Sequence, residues 1–211
     1  MPFPKISDQI YETLLKQIID HKLKPGARLL EEQLGRDLGV SRTPLRDAIN
    51  ALARDGFIRV EPRRGASVRD FKLEDLIEVY DIRMALEGLA AKLAAGNINY
   101  DVLARLADEF KNSDVRKLLK ADTNLHQIII ESCNNVKLQE MLTNLGNLVQ
   151  AFRTAGYQST SRSKSATVYH IKIVKALMDK DGSMAERLMR EHIEKTKNEI
   201  INEFQAKTDN S

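Results

Sequence analysis

The sequence predicts a mainly α-helical chain in two parts. The first is a small N-terminal unit of three helices closed by a β-hairpin. The second is an antiparallel bundle of about six helices. Three observations predict this. Apolar residues recur every three or four positions along almost the whole chain, the period of a helix with one buried face. Only between residues 58 and 68 does the period fall to two, the signature of strands. The basic excess is confined to the same end: residues 1–70 carry 13 Lys and Arg against 10 Asp and Glu, whereas residues 71–211 carry 20 against 20.

Ser7 is placed to cap a first helix with Ile10, Leu14, Ile18 and Ile19 as its stripe, and Pro25-Gly26 ends that unit as a turn. A short second helix runs from about Glu31 to Leu38, with Leu34 and Leu38 inward and Gly39 as its C-terminal cap. Ser41 then opens a third helix. Pro44 is tolerated in its first turn, where backbone N–H groups have no helical partner. Leu45, Ile49 and Leu52 are its buried stripe, and Gly56 stops it. Ile58 and Val60 alternate with Arg59, Ala66 and Val68 with Ser67, and Pro62-Arg63-Arg64-Gly65 is the turn between them. Two short helices on a tight turn followed by such a hairpin make a winged helix-turn-helix over residues 1–70, with the boundary at Arg69–Lys72.

From Leu73 onward there is no convincing strand. Helices are expected at 73–95, carrying Leu76, Tyr80, Leu86, Leu89 and Leu93, and at about 100–111, 115–133, 136–155, 166–180 and 183–205. Thr154–Ser165, rich in Ser, Thr and Gly, is expected to be a mobile loop, and the last few residues are expected to fray. Residues 71–211 thus form the second, all-helical domain.

Composition narrows the class. Apolar residues at 42% suffice for two cores, and 5% aromatic residues with no Trp suit packing by Leu, Ile and Ala. Cys133 is the single cysteine, so no internal disulfide forms and a reducing cytoplasm fits best. No apolar run approaches the roughly 18 residues of a membrane span. The N-terminus lacks the apolar stretch of a signal peptide, so the protein is expected to stay in the cytoplasm.

Residues 42–69 hold seven Arg against three acids, a local excess that suits a phosphate-rich partner. The second helix of a helix-turn-helix enters the major groove and presents its N-terminal residues to base edges. Here those are Arg42, Thr43 and Arg46, with Asn50 one turn on, roughly opposite Leu45, Ile49 and Leu52. Arg63 and Arg64 at the hairpin tip are placed for phosphates or the minor groove.

Three of the four histidines fall on inward faces of the second domain. Asp122 and His126, four apart, share one side of a helix with Ile129 and Cys133. His170 lies in line with Val174 and Leu177, and His192 with Leu188, Met189, Ile193 and Thr196. The midpoint of 170 and 192 falls in the Asp181-Gly182-Ser183 turn, so an antiparallel hairpin sets both imidazoles at one height. An Asp/His pair from a third helix then completes four ligands for one divalent ion per chain, zinc first, with nickel and manganese as alternatives. The bland alternative is a set of hydrogen-bonded core histidines. His21, near the end of the first helix, is given no role.

The run from Lys24 to Val68 closely resembles the GntR-family DNA-binding domain. Its diagnostic pieces are Pro25-Gly26, Leu38-Gly39-Val40-Ser41-Arg42-Thr43-Pro44, Arg46, Leu52 and Arg64-Gly65. The resemblance implies operator contacts by Arg42, Thr43 and Arg46, with Gly65 at the wing tip. Leu30 departs from the polar residue or Arg that many members carry. Residues 73–205 resemble the FCD effector domain of the FadR subfamily, on Asp81-Ile82-Arg83-Met84-Ala85-Leu86-Glu87, Asp122-Thr123-Asn124-Leu125-His126, Asn135 with Leu138, His170 and His192. In metal-binding members an Asp and three His occupy the matching places. Arg83 is by the same resemblance a candidate to grip a carboxylate effector, against the alternative of an exposed pair with Glu87, and Arg153 is a weaker candidate. Leu125 stands where the family usually has Phe.

The expectation is a homodimeric regulator, a repressor by the commoner family behaviour. It would bind double-stranded operator DNA with palindromic half-sites and respond to a small organic acid held beside the metal. A regulator that senses the metal alone is the alternative. An enzyme is disfavoured: no GxSxG, Walker A or GxGxxG sequence occurs, and no glutamate stands as an obvious general base.

Overall fold

In a computed structural model, residues 5–112, 115–154 and 162–209 are described. The chain divides into two compact units, Met1–Lys72 with Asn147–Gly156, and Leu73–Gly146 with Tyr157–Ser211.

The first unit holds α1 (Ile6–Ile19), β1 (Arg28–Leu29), α2 (Glu31–Leu38), α3 (Arg42–Arg54), β2 (Ile58–Glu61) and β3 (Gly65–Val68). Helices α1 and α3 bury their stripes against each other: Ile10, Leu14, Leu15 and Ile18 meet Leu45, Ala48, Ile49 and Leu52. Burying each such side chain contributes about 1.5–3 kcal/mol. The Tyr11 hydroxyl donates to Asp55 at 2.6 Å, tying α1 to the C-terminal cap of α3. Gly39 ends α2 in the left-handed conformation, φ 65°, and Ser41 occupies the N-cap of α3 without a side-chain cap bond.

The expected hairpin forms, with Ile58 opposite Val68 and Glu61 opposite Gly65. It gains a third strand. β1 pairs antiparallel with β3, so the sheet order is β1-β3-β2. Three expectations are corrected here. Ser7 lies inside α1, whose N-cap is Lys5, because the helix already begins at Ile6. Val60 is exposed, since only one end of β2 lies over the core, where Ile58 is buried. Leu34 and Leu38 are only half-buried, because α2 is a short helix on the surface of its unit.

The second unit holds α4 (Leu73–Ala94), α5 (Tyr100–Asn112), α6 (Val115–Ser132), the first part of α7 (Val136–Thr154), α8 (Arg162–Met178) and α9 (Gly182–Asp209). Turn chemistry sets the breaks. Asn134 takes a left-handed φ of 52° after α6, and Asn135 Oδ1 accepts from the Leu138 N–H at 3.1 Å to cap α7. Lys180, φ 56°, follows α8, and Asp181 Oδ1 accepts from the Met184 N–H at 2.9 Å to cap α9.

The longest shared face is between α4 and α9, which small residues bring close: Ala91, Ala94 and Ala185 are fully buried. A Cβ at Gly182 would stand 2.7 Å from the Lys92 carbonyl oxygen, so only glycine fits there. Leu89 and Leu93, expected with the buried stripe of α4, are 39% and 38% exposed. The buried side is instead Leu76, Tyr80, Arg83, Glu87, Ala90, Ala91 and Ala94. The expected loop Thr154–Ser165 falls mostly on residues 155–161, which lie outside the described residues. Its last part is helical, because α8 starts at Arg162 rather than residue 166.

Candidate metal centre and nucleic-acid interface

Helix α6 supplies Asp122 and His126 one turn apart, on the buried side that continues through Ile129 and Cys133. Helices α8 and α9 supply His170 and His192, in line with buried Val174 and Leu177 and with buried Met189, Ile193 and Thr196. The turn between α8 and α9 brings the two imidazoles level, with their Nε2 atoms 3.3 Å apart. Asp122 Oδ1 lies 3.0 Å from His170 Nε2 and 3.5 Å from His126 Nε2. The Phe110 ring, from α5, packs 4.8 Å from the His170 ring.

A chain of charged groups backs His126. Its Nδ1 bonds the carboxylate of Glu87, whose other oxygen accepts from Arg83 Nε. Arg83 and Glu87 are 7% and 5% exposed, so the pair four residues apart on α4 is buried, not the exposed one that was its alternative. Arg83 Nη2 also approaches His126 Nδ1 at 3.5 Å. Burial alone would lift the Glu87 pKa, but the charges of Arg83 and His126 hold it well below the usual carboxylate range. Burial would likewise lift Asp122, and the neighbouring His126 and His170 imidazoles outweigh it, holding the carboxyl well below its ordinary value. Burial acts to lower His126, yet the Glu87 charge raises it. Burial and then the neighbouring His170 and His126 push His192 well below its ordinary value, so its ring is neutral.

The donor set fits a divalent cation. One ligand atom from each of Asp122, His126, His170 and His192 lies within 4.8 Å of all the others. Four donors at about 2.1 Å from one ion would stand roughly 3.4 Å apart, close to the 3.0–3.5 Å that separates His170 Nε2 from His192 Nε2 and Asp122 Oδ1 from His170 and His126. His126 Nε2 is buried and has no hydrogen-bond partner, an arrangement that proteins avoid unless something else takes the lone pair. Glu87 at Nδ1 fixes the tautomer that frees that lone pair.

On the first unit, Arg42, Thr43, Arg46 and Asn50 are exposed on one side of α3, while Leu45, Ile49 and Leu52 are buried on the other. The wing tip carries Arg63, φ 65°, Arg64 and Gly65, φ 82°, all exposed. Gly65 adopts that φ without the steric cost that a Cβ would add. Arg153 falls in the stretch of α7 grouped with the first unit, not in the unit that holds the four ligands.

Three carboxylates at these sites were not among the expected functional residues. Glu31 lies 2.7 Å from Arg46 and Glu32 lies 2.9 Å from Arg42. Glu87 was visible only as a neighbour of Arg83. Two opposite charges one turn apart, in line with Leu76, Tyr80, Ala90, Ala91 and Ala94, were the available signal.

Comparison with known proteins agrees with both halves. The sequence profile of the gntR family of bacterial regulatory proteins matches residues 6–68, and that of the FCD domain matches residues 78–195. The HTH-type transcriptional repressor RspR of Escherichia coli (strain K12) is 28% identical over 200 residues, covering 92% of this chain and 88% of its own. The HTH-type transcriptional regulator YdhC of Bacillus subtilis (strain 168) is 26% identical over 192 residues, covering 87% and 86%. The fold matches that of E. coli McbR/YncC with a TM-score of 0.71 at 22% identity, over 96% of this chain and 100% of the other. A GntR regulator from Rhodococcus sp. RHA1 matches with a TM-score of 0.69 at 22% identity, over 93% and 97%. The chain therefore belongs to the GntR family of DNA-binding transcriptional regulators, in the group that carries an FCD domain, and is not an enzyme.

Proposed function

We propose that this regulator is a homodimeric repressor whose operator affinity is set by a small carboxylate bound beside a divalent metal ion in the helical unit. The buried cluster of Asp122, His126, His170 and His192 carries the proposal. Those four residues would hold the ion, zinc in the first instance, with nickel or manganese as alternatives. The ion would supply Lewis acidity and positive charge.

Charge balance supports an anionic effector. Two positive charges from the ion, less one from Asp122, leave one uncompensated, while Arg83 and Glu87 cancel each other. A buried net charge is costly unless paired, so a carboxylate completes the site. Arg83 lies beside His126, and an effector carboxylate would share it with Glu87. Arg153 remains the second candidate to grip that carboxylate.

Two recognition helices reading two half-sites account for a dimer on palindromic operator DNA. The apolar residues Ile82, Leu89 and Leu93, exposed on the far side of α4, are a surface suited to a second copy. The repressor RspR supports repression as the mode of action.

The test is operator binding on a duplex selected from a random pool. Metal would be titrated with and without a panel of small mono- and dicarboxylates. Release of DNA only when metal and acid are both present is the expected result. Release by metal alone would favour a metal sensor, and indifference to both would overturn the proposal.

A further inference from the structure

The first turn of α2 and the first two turns of α3 are joined by two ion pairs. Glu31 Oε2 lies 2.7 Å from Arg46 Nε, and Glu32 Oε1 lies 2.9 Å from Arg42 Nη2. Both acids belong to α2, ahead of the helix-turn-helix turn, and both arginines are the ones placed to face base edges. Three of the four side chains are more than 60% exposed. Exposed ion pairs add little to stability, so these are poorly explained as supports of the fold. The N-cap of α2 is Leu30, which makes no cap bond, and the two carboxylates lie in the first turn, near the helix's positive end.

We propose that Glu31 and Glu32 are specificity-determining residues that position Arg46 and Arg42 for guanine and penalise their use on bare phosphate. This rests on the assignment of α3 as the DNA-reading helix.

The chemistry follows from donor counting. A guanidinium has five N–H donors in a planar fork. With Nε of Arg46 committed to Glu31, its two terminal nitrogens remain, and that edge matches the paired O6 and N7 acceptors of guanine. The carboxylate need not leave when guanine binds. Phosphate is different: it is drawn by net charge, and each arginine already has a carboxylate partner. Specificity is a difference between affinities, so a device that weakens the wrong complex raises it as surely as one that strengthens the right one. Holding a long side chain in its reading pose also lowers the ordering cost at the moment of binding.

The experiment uses the full-length protein and a duplex selected by it from a random pool. Dissociation constants are measured for that duplex, for versions with each guanine replaced by adenine, and for an unrelated duplex, across a salt series. Wild type is compared with Glu31→Gln, Glu32→Gln, the double variant and Arg46→Ala. Gln keeps side-chain length and removes charge, and thermal melts verify folding. The double variant is expected to bind the unrelated duplex about fivefold or more tightly, with a steeper salt dependence. In Glu31→Gln, discrimination at the guanine read by Arg46 is expected to fall about fivefold to tenfold. Unchanged ratios of specific to unrelated binding would overturn the proposal. So would a uniform loss on every duplex, which is the mark of a merely structural role. Wild-type operator binding by Arg46→Ala would instead sink the assignment of α3, and is thereby distinguishable.

Discussion

Glu87 bonds Nδ1 of His126 across a sequence separation of 39 residues, and the same carboxylate is held by Arg83. A buried pair robbed of one partner costs about 3–5 kcal/mol, because the remaining charge has no water. Glu87→Gln is therefore expected to lose roughly that much in urea unfolding. Arg83→Met combined with Glu87→Gln is expected to recover most of it. Additive losses in the double variant would show that Arg83 is not penalised when Glu87 is neutralised. In the double variant, zinc affinity by calorimetry should fall about 10–100-fold, the usual effect of removing a partner that orients a ligating histidine.

Asp122→Ala and His192→Ala each remove one ligand. Elemental analysis of the purified variants should show lost metal. Zinc restored to chelated wild type at a hundredfold above its Kd should stabilise by about 2.7 kcal/mol. The variants should show no such shift in a thermal melt. Full metal content in both would remove the site.

Much of this cluster was legible in the sequence. The spacing of Asp122 and His126 fixes them on one face, and the midpoint of His170 and His192 locates the turn that levels them. Helical periodicity is a local property and survives in the sequence. Glu87 was not legible as a partner of His126, because α4 and α6 meet only in the folded unit. β1 escaped because two residues are too few to show a period. The exposure of Leu89 and Leu93 escaped for the opposite reason: α4 is apolar on both sides, so its stripe does not say which side is buried.

The wing and the recognition helix should respond differently to substitution. Arg63→Ala and Arg64→Ala are expected to weaken all duplexes alike and to lower the salt slope by about 0.9 for each lost phosphate contact. Arg46→Ala is expected to cost about 1–3 kcal/mol on the selected duplex alone. A sequence-selective loss from the wing variants would move Arg63 and Arg64 from phosphate to base edges.

Leu89→Glu and Leu93→Glu place charge on the exposed apolar side of α4. If that side meets a second copy, both shift the protein to monomer in sedimentation velocity while the melting temperature of the monomeric unit holds. A wild-type mass would direct the dimer contact elsewhere.

Helix α4 begins at Leu73, directly after the last residue of the N-terminal stretch of the first unit, and it carries Arg83 and Glu87 on its buried side. From Leu73 to Glu87 is about 21 Å of continuous helix at 1.5 Å per residue. If an acid bound beside His126 shifts Glu87, the shift acts on a stiff rod that starts at Leu73. Two glycines inserted after Leu76 would soften that rod. The altered protein should still take up metal and still bind its duplex, yet answer the acid weakly or not at all.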